Sequence, residues 1–114
     1  MAVTDIKKID GIAKNNKELV LLITDHLDWS EEYKHLQILQ NKINSYLEFI
    51  ESRQYVEIYP DNFFEHYVIE IHFKNGISEN GLAFLEVVAN QVEEIKVKVR
   101  IELEENRGSD GKEN

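Results

Sequence analysis

The densest run of residues able to do chemistry is Thr24-Asp25-His26-Leu27-Asp28-Trp29, where a strand is expected to give way to a helix. Two carboxylates flank an imidazole, so Asp25, His26 and Asp28 can together bind a divalent cation or set His26 as a general base. Strand ends that feed helices are also favoured places for functional sites. A structural reading accounts for the same residues. Asp28 caps the helix, Asp25 satisfies turn amides, Trp29 anchors the helix start in the core, and His26 bonds locally. Caps and turns are the commonest work of aspartate, and the run has no fixed second half elsewhere in the chain. The structural reading therefore takes precedence. Asp25, His26, Asp28 and Trp29 stand as a candidate polar cluster, with no catalytic residue, metal ligand or cofactor assigned.

A second group is carried by the alternating segment 66–74, in which His66, Glu70 and His72 fall on one side. Residues two apart on a strand face lie about 6.5–7 Å from each other, so Glu70 and a histidine could share a metal. That side is the expected solvent face, and Lys96, Lys98 and Arg100 occupy the matching face of the last strand. If the two strands are neighbours, Glu70 pairs with a base across the ladder and no metal is needed. Nothing resembles a Gly-rich phosphate loop, a nucleophile elbow or an H-E-x-x-H helix. The chain has no cysteine, and its serines offer no base at a suitable spacing.

Apolar residues offer a different kind of site. On a helical wheel Ile38 and Phe49 fall opposite the core stripe, with Lys42 between them, and an apolar pair left on a surface can meet a partner. The stretch from Tyr55 to Tyr67 is rich in rings (Tyr55, Tyr59, Phe63, Phe64, Tyr67), and Phe63-Phe64 in a loop cannot easily bury both. Ile38, Phe49, Phe63 and Phe64 are thus a candidate interaction surface. The alternative use of most of these rings is core packing.

The elements that would position these groups follow from periodicity. Residues 6–13 read as an irregular strand with a bulge at Gly11, then Lys14-Asn15-Asn16-Lys17 as a turn, and 18–24 as an interior strand apolar on both faces. A helix is expected over about residues 29–52, capped by Asp28, with Tyr33, Leu36, Leu39, Ile43, Leu47 and Ile50 as its stripe. Residues 55–59 read as a short strand and 66–74 as a longer one. A helix follows from a Ser78 cap to about Glu94, with an Ile77–Leu82 staple and Leu82, Leu85, Val88, Ala89 and Val92 on its apolar face. The segment 96–104 alternates most cleanly, with Val97, Val99, Ile101 and Leu103 inward. The order ββαββαβ implies an α+β two-layer sandwich, a mainly antiparallel sheet of about five strands with both helices on one face. Residues 1–104 form its single domain, and 105–114, without an apolar side chain, read as a flexible polar tail.

Composition bounds the function. A chain of 114 residues suits one domain, and 42% hydrophobic content is enough for a core. The absence of cysteine, of a signal-like apolar stretch and of any membrane-length run points to the reducing cytoplasm rather than a membrane. A net charge of −9 argues against nucleic acid as a partner, since phosphate neutralisation needs clustered Lys and Arg. Residues 54–95 concentrate the acidity, with Lys74 the single Lys or Arg among Glu57, Asp61, Glu65, Glu70, Glu79, Glu86, Glu93 and Glu94. A charge-steered partner is then basic, and solubility alone is the other account of the charge.

The hairpin leading into Thr24-Asp25-His26-Leu27-Asp28-Trp29, the helix text Leu39-Gln40-Asn41-Lys42-Ile43-Asn44-Ser45-Tyr46-Leu47 and the phrase Phe49-Ile50-Glu51-Ser52 together resemble a family of small bacterial proteins with no assigned function. The resemblance covers about residues 3–103 and implies a bacterial cytosolic protein and no mechanism. The leading expectation is a small non-catalytic protein-interaction module, of which a toxin-neutralising immunity protein is one version by analogy of size and charge. A metal-dependent or acid–base enzyme using Asp25, His26 and Asp28 is the alternative, and a homodimer built by sheet-edge pairing or by the aromatic loop is a third reading.

Overall fold

The computed structural model describes residues 2–104; the tail expected at 105–114 lies outside them. In chain order the elements are β1 (Gly11–Asn15), β2 (Glu18–Asp25), α1 (Glu32–Glu51), β3 (His66–Phe73), α2 (Glu79–Val92) and β4 (Val97–Leu103). Short 3-10 turns follow the two helices, at Gln54–Glu57 and Glu93–Ile95. The fold is α+β with one sheet and two helices, as expected, but the sheet has four strands in the order β1-β2-β3-β4 and is mixed. Only β1 and β2 are antiparallel; β2, β3 and β4 run parallel.

The change from five strands to four explains the change in direction. Tyr55–Tyr59 alternates like a strand, yet Arg53 takes a left-handed φ of 61° and turns the chain into a 3-10 turn. Tyr55 is thereby buried against Phe49, Phe64 and Tyr67. With no strand on the return, α1 alone brings the chain back along the sheet. Its 20 residues reach about 30 Å, so β3 must start beside the beginning of β2 and run parallel to it. The link from β3 through α2 to β4 repeats the move. Two crossovers of the same hand in the same direction place both helices on one face, where they touch each other.

The core lies between that face and the helices. Leu19, Leu21 and Ile23 of β2, Ile69, Ile71 and Phe73 of β3, and Val97 of β4 point into it, met by Leu39, Ile43, Tyr46 and Ile50 of α1 and by Leu85 and Val92 of α2. Ser78 caps α2 as expected, accepting the Gly81 amide at 3.0 Å, but Leu82 is exposed and Gly81 takes the buried position beneath Trp29. The expected strand at 6–13 begins only at Gly11, without a bulge, because residues 6–10 leave the sheet to fold beside α1. The hairpin turn lies inside the expected Lys14–Lys17 but is only Asn16-Lys17, because Lys14 and Asn15 still pair in β1; Asn16 has a φ of 57°, a conformation asparagine tolerates.

On the opposite face His66, Glu70 and His72 of β3 reach solvent as expected, while Val68 between them is buried, and the register puts Glu70 directly beside Arg100. Arg100 donates to Glu70 at 2.8 Å, and the His72 ring meets the other carboxylate oxygen at 2.6 Å. The hydrogen bond from His72, and with it the Arg100 guanidinium, holds the Glu70 carboxyl below its ordinary value of 4.5. A lowered folded value means that the ionised form stabilises the fold. The stability gap between wild type and Glu70→Gln is therefore expected in full above pH 4.5, to fade as pH falls through the lowered value, and to stay within about 1 kcal/mol for so exposed a pair. Urea titrations of both proteins from pH 7 to pH 3 measure it; a gap that grows on acidification contradicts the pairing.

Candidate functional site

The three parallel strands end together, and the loops leaving β2 and β3 meet at that edge, the place where α/β sheets commonly hold ligands. The side chain of Trp29 ties the loops, donating its indole N–H to the Gly76 carbonyl at 2.8 Å, and Asn75 donates to the His26 carbonyl at 3.0 Å. A groove of about 600 Å³ opens here, lined by Thr4, His26, Leu27, Asp28, Ser30, Glu31, Lys34, His35 and Ile38.

The polar run does not act as one cluster. Asp25 is the last residue of β2 and alternation turns it inward, where it is 2% exposed; His26, one residue on, is exposed, and so is Asp28. Asp28 is not the cap of α1. The helix starts at Glu32, after Glu31, and the Asp28 carboxylate instead accepts the Ser30 hydroxyl at 2.6 Å and the Ser30 amide at 3.0 Å. Those two bonds hold the Asp28 carboxyl below the usual range. Among the described residues no three His, Asp or Glu side chains come together to hold a metal ion.

The histidine that does meet Asp25 is His35, in the first turn of α1. Its Nε2 lies 2.6 Å from the Asp25 carboxylate and its Nδ1 lies 2.9 Å from the Asp28 carbonyl. A carbonyl can only accept, so Nδ1 carries a hydrogen and one further proton is held between Nε2 and Asp25. The second Asp25 oxygen accepts the Leu27 amide at 3.1 Å. The Trp29 ring stacks on the imidazole, centroids 3.7 Å apart and planes 21° from parallel. Asp25, His35 and Trp29 form a compact knot, with Asp25 and His35 buried, in which every side-chain polar atom has a partner.

A second knot lies at the side of α1. Lys42, expected on an exposed line with Ile38 and Phe49, is fully buried. Its ammonium donates to the Asp5 carbonyl, to the Lys8 carbonyl at 2.7 Å and to the Asp10 carboxylate at 3.0 Å, which uses all three of its hydrogens. The other Asp10 oxygen accepts the Thr24 amide at 2.9 Å and the Thr24 hydroxyl at 3.3 Å. Tyr46 completes the network, accepting the Asp10 amide at 2.8 Å and donating to the Leu22 carbonyl. Burial pushes the Tyr46 hydroxyl well above its ordinary range.

The candidate interaction residues part company. Ile38 and Phe49 are half-buried against the core rather than exposed, because the buried stripe of α1 runs through His35, Leu39, Lys42, Ile43, Tyr46 and Ile50 and so lies nearer to them than the expected stripe. Phe64 is buried, in edge contact with Tyr55 at 5.8 Å and Tyr59 at 5.9 Å. Tyr55 and Tyr67 share a hydrogen bond of 2.9 Å, and burial with that bond pushes the Tyr67 hydroxyl up to about 12. Phe63 alone of the four stays outside, 72% exposed.

A family of unknown function, DUF6572, matches residues 1–105, which takes in both knots and the aromatic loop. The chain belongs to that family. No specific activity accompanies it, as expected from the resemblance to a family with no assigned function. A search of curated proteins finds no match, and a search of solved structures finds none. Among the described residues no helix is long and apolar enough to cross a membrane.

Proposed function

We propose that this protein is a non-catalytic interaction module whose recognition anchor is Phe63. The observation that carries the reading is the contrast between two adjacent rings. Phe64 is clamped between Tyr55 and Tyr59, which fixes the loop, and the fixed loop presents Phe63 to solvent. A pre-organised aromatic side chain loses little freedom on binding and is a common hot spot. Phe63 borders a groove of about 510 Å³ with Glu65, His66, Glu93, Lys96, Val97 and Lys98, an apolar centre with a charged rim. The exposed acids of α2 and its following turn, Glu79, Glu86, Glu93 and Glu94, favour a basic partner, which a toxin-neutralising immunity protein of this charge would also suit. The Asp25–His35 knot supports the same reading, since its side-chain polar atoms are already bonded to each other, to the Asp28 carbonyl and to the Leu27 amide.

Pull-down from the native host with the wild type and with Phe63→Ala tests it. A specific partner held by the wild type is expected to bind the variant at least about 30-fold more weakly, the loss of a central hot spot, with the melting temperature unchanged. A wild type that retains no specific partner, or a partner indifferent to Phe63, removes the reading.

A further inference from the structure

We propose that β4 is a self-recognition edge through which two copies of this chain pair, antiparallel, about a two-fold axis at Ile101. β4 closes one side of the sheet, so half of its backbone groups have no strand beside them among the described residues. Which half follows from the hydrogen bonds. The Lys96 carbonyl accepts from Tyr67 at 2.9 Å and the Glu104 amide donates to Phe73 at 3.0 Å, so the even-numbered residues face β3. Strand alternation then turns the N–H and C=O of Val97, Val99, Ile101 and Leu103 to the open edge, where an added strand satisfies them.

The side chains say which strand. Along the wet face β4 and its continuation read Lys98, Arg100, Glu102, Glu104, bases first and acids after. An antiparallel copy reverses that order. With the axis at Ile101, Arg100 stands opposite the partner's Glu102 and Lys98 opposite the partner's Glu104, so each of these cross-strand pairs joins opposite charges. On the other face Val99 stands opposite the partner's Leu103, and Leu103 is 53% exposed in the single chain. An edge guarded only against unwanted pairing carries one sign of charge, which repels its own copy; this one is self-complementary. The other edge of the sheet, β1, has a lysine and no acid in its five residues. The Phe63 groove shares Lys98 with this edge, but the pairing rests on the backbone and charges of β4, and Phe63→Ala is expected to leave it unchanged.

Light scattering of the full chain from micromolar to millimolar concentration is expected to approach twice 13.4 kDa. Glu102→Arg sets like charges opposite each other twice and is expected to weaken the dimer roughly tenfold or more. The chain has no cysteine, so Ile101→Cys reports the register directly: residues facing across a hydrogen-bonded pair stand about 5.5 Å apart, within disulfide reach, and the variant is expected to cross-link under mild oxidation. A mass of 13.4 kDa throughout overturns the proposal, and so does a dimer that ignores Glu102→Arg and gives no cross-link through Ile101→Cys.

Discussion

Asp25→Ala is expected to destabilise the fold by about 3–5 kcal/mol, a large part of the stability of a domain this size. The Asp25 side chain is wholly buried and His35 is 2% exposed, so neither can turn to water when the other is removed. Losing the carboxylate strands the imidazole Nε2 and the Leu27 amide together, while Nδ1 stays committed to the Asp28 carbonyl. The penalty is that of leaving buried polar groups unpaired, which exceeds the net worth of the bonds themselves. Asp25→Asn keeps the volume and an acceptor for the Leu27 amide, and is expected to cost less, about 1–3 kcal/mol. The reporter is built in: Trp29, the sequence's one tryptophan, stacks on His35, so its fluorescence in a urea titration follows this knot as well as global unfolding. A loss under about 1 kcal/mol for Asp25→Ala would show that the pair is not the closed unit its geometry describes.

The position of this knot was half legible in the residues themselves. The Asp-His-Leu-Asp-Trp run marked the right loop, because aspartates and a tryptophan at a strand exit have few uses other than turns, caps and anchors. It pointed to the wrong histidine. Successive residues leaving a strand face opposite sides, so Asp25 turns in and His26 turns out, and the ring that meets Asp25 comes from ten residues further along the chain. The helix stripe failed for a related reason. Enough apolar residues surround α1 to draw more than one stripe, and the tie is broken by His35 and Lys42, whose partners are Asp25 at the end of β2 and Asp10 just before β1. A wheel that ranks positions by hydrophobicity places both outside. The strands that alternate without competition, β3 and β4, fall within one residue at each end of where periodicity puts them. Tyr55–Tyr59 alternates just as well and is not a strand, since burying Tyr55 among three rings outweighs a local preference for extended chain.

Lys42 is where a buried charge does most to shape the fold. Its ammonium takes two carbonyls from residues 5–8 and the carboxylate of Asp10, and Asp10 in turn holds the Thr24 amide at the end of β2. The segment before β1 is tied to the domain by the Val3 amide on the Thr24 carbonyl, by the Val3 side chain in the core, and by its bonds to Lys42, Tyr46 and Thr24. Lys42→Met keeps the aliphatic stem but leaves the Asp10 carboxylate buried, its side chain 1% exposed, without a cation. The expected cost is about 3–5 kcal/mol, as for other buried pairs broken on one side. Lys42→Met with Asp10→Ala removes both charges and is expected to cost clearly less than the sum of the two single changes, because the second no longer strands a partner. Release of the segment has a separate readout. In the wild type Lys7 and Lys8 are expected to resist trypsin while the Lys8 carbonyl is held against α1, and in Lys42→Met to be cleaved many times faster than the bonds of the folded core, as mass spectrometry of the early fragments will show. Equal cleavage in both proteins, with an unchanged urea midpoint, would mean that the segment is held by Val3 in the core and not by the lysine.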